Sequence, residues 1–180
     1  MTREETLIDK RATELRMAFD QSFAQASAGV SASTEAFLAI GVGGDNYALR
    51  LSEISGLYTN KKVLALPSDV PELLGVASFR GALIPVYDLR VLLGYPVNLR
   101  PRWLVQVAAA TPIGLAFDRF DGHLHLPRDA IGKEEKAQER EQHLTESLRT
   151  NGEVRPIVSV ASMIESIKKR VQQDITHKER

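Results

Sequence analysis

Acidic residues and histidines lie close together in FDRFDGHLHLP, residues 117–127. Asp118, Asp121, His123 and His125 fall within eight residues, and alternate residues of a strand point to one face, so imidazoles and a carboxylate there could share a metal ion. A zinc site needs three or four converging ligands with supporting hydrogen bonds, however. We therefore expect no metal, and a metal-dependent enzyme using Asp118, His123 and His125 remains the alternative from a different functional class.

Other catalytic patterns are incomplete. GVGGDN, residues 41–46, ends in Asn46 where a dinucleotide-binding fingerprint requires glycine, and it is better explained as a Gly-rich turn. Ser78 does not lie in the G-x-S-x-G pattern of hydrolases. Cysteine is absent, which excludes disulfides and thiolate chemistry. We expect a binding protein with no catalytic residue and no cofactor.

The overall charge argues against two common kinds of partner. The chain of 180 residues carries 23 basic and 23 acidic residues and has a sequence pI near 6.9. It therefore lacks the basic surface expected for binding nucleic acid or an anionic membrane. Because no stretch approaches the ~18 apolar residues of a membrane span and the first residues contain no apolar signal segment, we expect a cytoplasmic protein without membrane insertion.

The pattern predicts a helical N-terminal segment followed by a mainly β body. Thr2 and Glu5 have the spacing of a capping box, and apolar residues then recur at steps of three and four, which predicts an amphipathic helix. With the small, polar linker after it, this segment covers residues 1–34. The compact domain is predicted at 35–180, and a closing helix is predicted at about 160–175.

Short strands separated by turn residues dominate that domain. A first series is predicted at 36–42, 46–51, 61–67, 73–79 and 82–89, ending in a short helix at 88–94. A second series is predicted at 102–108, 113–120, 122–127 and 153–161. The charged interval 132–143 contains a single apolar residue between Gly132 and His143, and we expect it to be solvated.

An Arg-Gly pair lies between two apolar runs in GVASFRGALIPVYDLRVLLG, residues 75–94. This segment resembles the most characteristic stretch of the CheW family, the coupling proteins of bacterial chemotaxis, whose pattern runs Gly-Val-x-x-Leu-Arg-Gly-x-x-Ile-Pro-Val-x-Asp-Leu-Arg. Residues 37–57, 113–127 and 152–167 resemble neighbouring blocks of the family. The resemblance covers roughly residues 36–170, with Phe79 where the family usually has leucine.

The resemblance implies a fold and a function. The fold would be two side-by-side five-stranded SH3-like β-barrels, here with an N-terminal amphipathic helix and a C-terminal helix. The function would be that of a non-catalytic adaptor coupling the cytoplasmic tips of chemoreceptors to the regulatory domain of a CheA-type histidine kinase, in a chemotaxis or pilus signalling array. A CheW-like adaptor with partners outside chemotaxis is the alternative.

The resemblance also places a partner-binding role on Arg80. Gly81 beside it has no side chain to block close approach, so the guanidinium could lie against carboxylates or carbonyls of a partner. An internal contact of Arg80 with Asp88, Glu53 or a backbone carbonyl of the barrel is the structural alternative. Apolar residues that flank this corner or match exposed family positions are candidates for a groove that binds a helix, and each could equally belong to the core. They are Ile54, Leu57, Val76, Phe79 and Ile84.

Overall fold

The structure is a computed structural model that describes residues 34–96, 101–133, 142–150 and 152–178, with side chains as far as residue 172. The predicted N-terminal helix and most of its linker lie outside the described residues, as does 134–141 of the predicted charged interval. The domain boundary at residues 34 and 35 therefore stays a prediction.

Eleven strands of the described chain form two sheets. The first sheet has the order β8-β1-β2-β11-β10-β9, and the second has the order β3-β6-β7-β5-β4. The strands of the first sheet are β1 (Thr34–Val42), β2 (Asp45–Arg50), β8 (Arg119–Pro127), β9 (Ile131–Lys133), β10 (Leu144–Thr150) and β11 (Glu153–Val158). Those of the second are β3 (Ile54–Thr59), β4 (Leu73–Phe79), β5 (Ala82–Asp88), β6 (Trp103–Val107) and β7 (Gly114–Phe117).

Two helices complete the described body. Helix α1 (Leu89–Leu92) is one turn long and begins after Asp88, whose Oδ1 accepts a hydrogen bond from the backbone N–H of Arg90 at 2.9 Å. Helix α2 (Val160–Lys178) closes the domain, and the hydroxyl of Ser159 accepts a hydrogen bond from the N–H of Ser162 at 3.3 Å. The predicted mainly β fold with a closing helix is confirmed.

The strand predictions need three corrections. Residues 61–67 do not form a strand: a single bridge joins Leu64 to Val76 at the edge of β4. Strands β3, β9 and β10 were not predicted. The two predicted series of strands also do not correspond to the two sheets, because the first sheet takes β1 and β2 from the first series and β8 to β11 from later in the chain. It therefore has six strands, where five were expected.

Each sheet curls around a small core of its own. In the second sheet, the rings of Tyr58 on β3 and Phe79 on β4 lie 4.8 Å apart edge to face, which brings the two ends of the strand order together as in a barrel. Buried Ile84 and Leu104 belong to the same core. In the first sheet, Leu126 of β8 packs on the corresponding core.

A larger core joins the two sheets to helix α2. Leu49 of the first sheet, Leu115 of the second and Met163 of the helix are fully buried in one apolar cluster. An ion pair at its edge connects the helix to the second sheet, with Arg170 Nη1 at 3.1 Å from Oε1 of the fully buried Glu72. The two sheets and α2 therefore hold each other in a fixed arrangement.

Candidate partner-binding site at the Arg80–Gly81 hairpin

Arg80 and Gly81 form the two-residue connection between β4 and β5. Phe79 and Ala82 are the last paired residues of the hairpin, and Arg80 and Gly81 have φ values of 49° and 87°. Two consecutive residues with positive φ are the pattern of a type I′ turn, whose twist matches that of the flanking strands. The hairpin therefore projects the Arg80 side chain from its tip.

Arginine is a costly choice for the first position of this turn. The left-handed region of φ is strained for residues with a Cβ, by about 1 kcal/mol or more, and Asn or Gly usually occupies it. Asn60, at φ 52°, shows the usual choice elsewhere in the described chain. Strain retained at an exposed position suggests that the side chain has a role beyond folding.

The guanidinium of Arg80 is exposed and is not engaged within the described residues. Asp88, one of its predicted internal partners, instead accepts the Arg90 N–H at the start of α1. Glu53, the other, lies near Arg50, and burial raises the pKa of its carboxyl group. The described part of the chain contains no ion pair or hydrogen bond from Arg80 to either acid, so its donors are available to a partner.

Side chains beside the Arg80–Gly81 turn alternate between the core and the surface along β4 and β5. Phe79 and Ile84 are only 2% and 3% exposed and belong to the core of the second sheet, whereas Leu83 is 73% exposed. Phe79 and Ile84 are therefore not contact residues, because a partner could reach them only if the sheet core opened. The outward position is Leu83, one residue from the predicted Ile84.

An open groove of about 620 Å³ runs beside the hairpin. Arg80, Leu83 and half-buried Val76 line it from the β4–β5 side. Lys61, Lys62 and Leu64 belong to the segment that follows β3 and also line it. These latter residues and Leu83 were missed as site residues, although the Lys61–Lys62 doublet next to an apolar run was visible in the sequence.

Lys61 is held in place by two aromatic rings. Its Nζ lies 5.2 Å from the ring centroid of Tyr58 and 5.0 Å from that of Phe79, within the range of a cation–π contact. Buried Phe79 thus supports the groove from below. Its contribution to the site is to position Lys61, not to touch a partner.

The groove requires close backbone contact between β4 and residue 64. The backbone N–H and C=O of Val76 bond to Leu64 at 2.9 and 2.8 Å. A Cβ on Gly75 would lie 2.0 Å from the Leu64 carbonyl oxygen, so only glycine allows this approach.

Pro85 on β5 is accommodated without the loss of a sheet hydrogen bond. It pairs with Val76 of β4, and it lies before the β5–β7 ladder, which starts at Val86. Its missing N–H therefore removes no bond to either neighbouring strand.

Ile54 and Leu57 do not line this groove. Both lie on β3, are half-buried and pack against the central core. Of the residues of β3, only the last, Thr59, lines the groove. Of the predicted contact residues, the structure therefore brings together Val76, Arg80 and Gly81, and leaves Ile54 and Leu57 as partly exposed residues of a separate surface.

The residues considered as possible metal ligands do not converge. Asp118 Oδ2 accepts hydrogen bonds from the backbone N–H of Gly43 at 2.8 Å and from Arg90 Nη1 at 2.9 Å. His123 and His125 point to the exposed face of β8. No group of three or more acidic, histidine or cysteine side chains that could hold a metal lies among the described residues. Asp118 instead ties the β1–β2 turn to α1.

Comparison with known proteins agrees with this architecture. The family model for the CheW-like domain matches residues 36–168. The crystal structure of the scaffolding protein TtCheW from Thermoanaerobacter tengcongensis is similar in fold, with a TM-score of 0.62 and 15% sequence identity over 69% of this chain and 88% of that one. No curated protein matches in sequence.

The family match spans most of the domain, and the chain therefore belongs to the CheW-like domain family. At 15% identity, the similarity to the scaffolding protein establishes the fold alone. None of the helices in the described part of the chain has the length and apolar character needed to span a bilayer.

Proposed function

We propose that this protein is a non-catalytic cytoplasmic adaptor that couples chemoreceptors to a CheA-type histidine kinase. The CheW-like domain supports the scaffold class, and the solved relative is itself described as a scaffolding protein. The cytoplasmic tips of chemoreceptors and the regulatory domain of the kinase are the proposed partners. The Arg80 tip binds at least one of them.

One observation supports this proposal most strongly. Arg80 occupies a strained position at the tip of the β4–β5 hairpin, and no described residue engages its guanidinium. A planar cation with several N–H donors binds carboxylates in a two-point geometry that lysine cannot reproduce. The tip therefore suits a partner that offers a carboxylate or helix-end carbonyls.

Substitution of Arg80 by alanine tests the proposal. Alanine keeps the Cβ, so the backbone strain is unchanged, and the rest of the side chain with its guanidinium is lost. We expect Arg80→Ala to weaken binding to the kinase regulatory domain or a receptor-tip fragment by roughly tenfold, the loss of one charge-assisted contact of about 1.5 kcal/mol. Isothermal titration calorimetry on each purified partner measures the change.

Arg128→Ala is the matched control, because Arg128 is exposed in the short 3-10 turn Arg128–Ala130, which connects β8 to β9 in the first sheet. It should bind both partners like the wild type. If Arg80→Ala bound both partners with wild-type affinity and an unchanged circular dichroism spectrum, the proposed role of the tip would be wrong.

A further inference from the structure

The groove beside the hairpin combines positive charge with exposed apolar surface. Lys61, Lys62 and Arg80 contribute three cations, and no acidic residue is among the described residues that line it. Leu64 and Leu83 are 63% and 73% exposed and line the same groove. Apolar side chains this exposed in one groove are typical of a binding surface.

The edge of β4 adds backbone groups to this surface. Val76 directs its N–H and C=O outward to Leu64, and alternate residues of a strand direct these groups to the same edge. Ser78, two residues further on, is exposed and lines the groove. Within the described chain, its N–H and C=O have no backbone partner at this edge. An incoming peptide backbone could pair with them.

We propose that this groove binds an acidic peptide segment of a partner protein, in which carboxylates flank an apolar side chain. The carboxylates face Lys61, Lys62 and Arg80, the apolar side chain lies between Leu64 and Leu83, and the backbone pairs with Ser78. The inference deepens the proposed function, on which it rests, by defining the chemistry of the segment that the coupling partner offers.

The shape of the site favours a protein segment over a lipid surface. Cations next to exposed leucines can also bind an anionic bilayer. Here, however, the leucines line a concave groove between two backbone segments, and the free groups of Ser78 need a hydrogen-bonding backbone. A peptide can satisfy both requirements, whereas a flat bilayer surface satisfies neither.

The test uses the full chain and three short synthetic peptides that alternate leucine with glutamate, leucine with lysine, and serine with glutamate. NMR titration follows the Ser78 amide and the methyl groups of Leu64 and Leu83. We expect only the glutamate–leucine peptide to shift these signals. Lys62→Glu and Leu83→Ser should each weaken that binding roughly fivefold or more, through lost charge attraction and lost apolar burial.

Two exposed positions elsewhere serve as matched controls. Val154→Ser removes an apolar side chain that is 53% exposed on β11, and Lys169→Glu reverses a charge on α2. Neither should alter the titration. Equal binding of all three peptides, or wild-type affinity in both groove variants, would overturn the inference. A third outcome would also overturn the inference: the protein binds vesicles of phosphatidylglycerol and phosphatidylcholine, and the peptides cause no shifts. In that case both groove variants would abolish the vesicle binding.

The same variants separate this inference from the proposed function. If Lys62→Glu and Leu83→Ser bind the kinase domain and receptor fragment normally while Arg80→Ala does not, the tip acts without the groove and the inference fails. If the peptide results are as expected but Arg80→Ala binds both partners normally, the groove is an acidic-peptide site and the proposed coupling role of the tip fails.

Discussion

At the scale of single residues, the informative feature is a conflict between local preference and residue type. A type I′ turn favours Asn or Gly at its first position, yet Arg80 occupies it at φ 49°. The family resemblance of the sequence is sufficient to predict a binding role for this arginine. Its strained backbone could not be predicted from the sequence, because an Arg-Gly pair is also compatible with other turns and with the end of a strand.

Relief of this strain is measurable as stability. Arg80→Asn places a residue that tolerates positive φ in the turn, so we expect the free energy of unfolding to rise by roughly 0.5–1 kcal/mol while partner binding weakens. Urea denaturation followed by circular dichroism measures the first effect. Arg128→Asn, at a position without positive φ, should give no increase. Destabilisation by Arg80→Asn would contradict the strain argument.

At the scale of elements, neighbouring residues of β5 face opposite sides of the sheet, so a shift of one residue in its pairing would exchange buried and exposed side chains. The short apolar run correctly predicted β5, but ALIPVYD is apolar at nearly every position, so its pattern does not show which face is buried. Only the pairing of Phe79 with Ala82 and the packing of β4 on its neighbours place Ile84 inside and Leu83 outside.

Adjacent alanine substitutions on β5 test this assignment. Ile84→Ala should lower the free energy of unfolding by about 3 kcal/mol, because it leaves a cavity in the small core of the second sheet. Leu83→Ala should change it by no more than about 0.5 kcal/mol, because the side chain is exposed. Equal effects of the two substitutions in a chemical denaturation experiment would show that the faces of β5 are assigned incorrectly.

Two of the missed strands, β10 and β3, lack the local pattern of a strand. LTESLRT in β10 looks polar, yet Leu144, Ser147 and Leu148 are buried. Glu146 of the same strand pairs with Arg50 at 2.6 Å. This ion pair compensates the charge of Glu146 within the sheet, but its two residues are far apart in sequence. Local periodicity therefore cannot predict it. Likewise, a Ser-Gly pair interrupts the alternation of β3, ISGLYT.

At the scale of the whole molecule, the chain leaves the first sheet after β2, builds the entire second sheet, and then returns. The parallel pairing of Ala48 on β2 with Ile157 on β11 closes this path. The resemblance correctly implied the mainly β architecture of the family, whereas the rhythm of short strands suggested two consecutive halves. Pairing between distant strands depends on the complete fold and is not encoded in local patterns.

Helix α2 and the central core give the body the rigidity that a scaffold requires. Besides the pair between Arg170 and Glu72, the His143 ring beneath the helix is buried, with Nδ1 at 2.9 Å from the Ser162 hydroxyl. Burial, and then the charge of Arg170, lower the pKa of His143, so the imidazole stays neutral at neutral pH. The helix therefore docks without a positive imidazole charge below it.

Simultaneous binding of receptor and kinase is the central claim, and a bridging measurement tests it most directly. Receptor-tip fragments are fixed on beads, and the kinase is supplied at a concentration at which it does not bind them alone. We predict that the full-length protein recruits the kinase to the beads, that Arg128→Ala recruits it equally, and that Arg80→Ala recruits severalfold less. If the wild-type protein bound neither partner, or bound each one only by excluding the other, the coupling function would be contradicted.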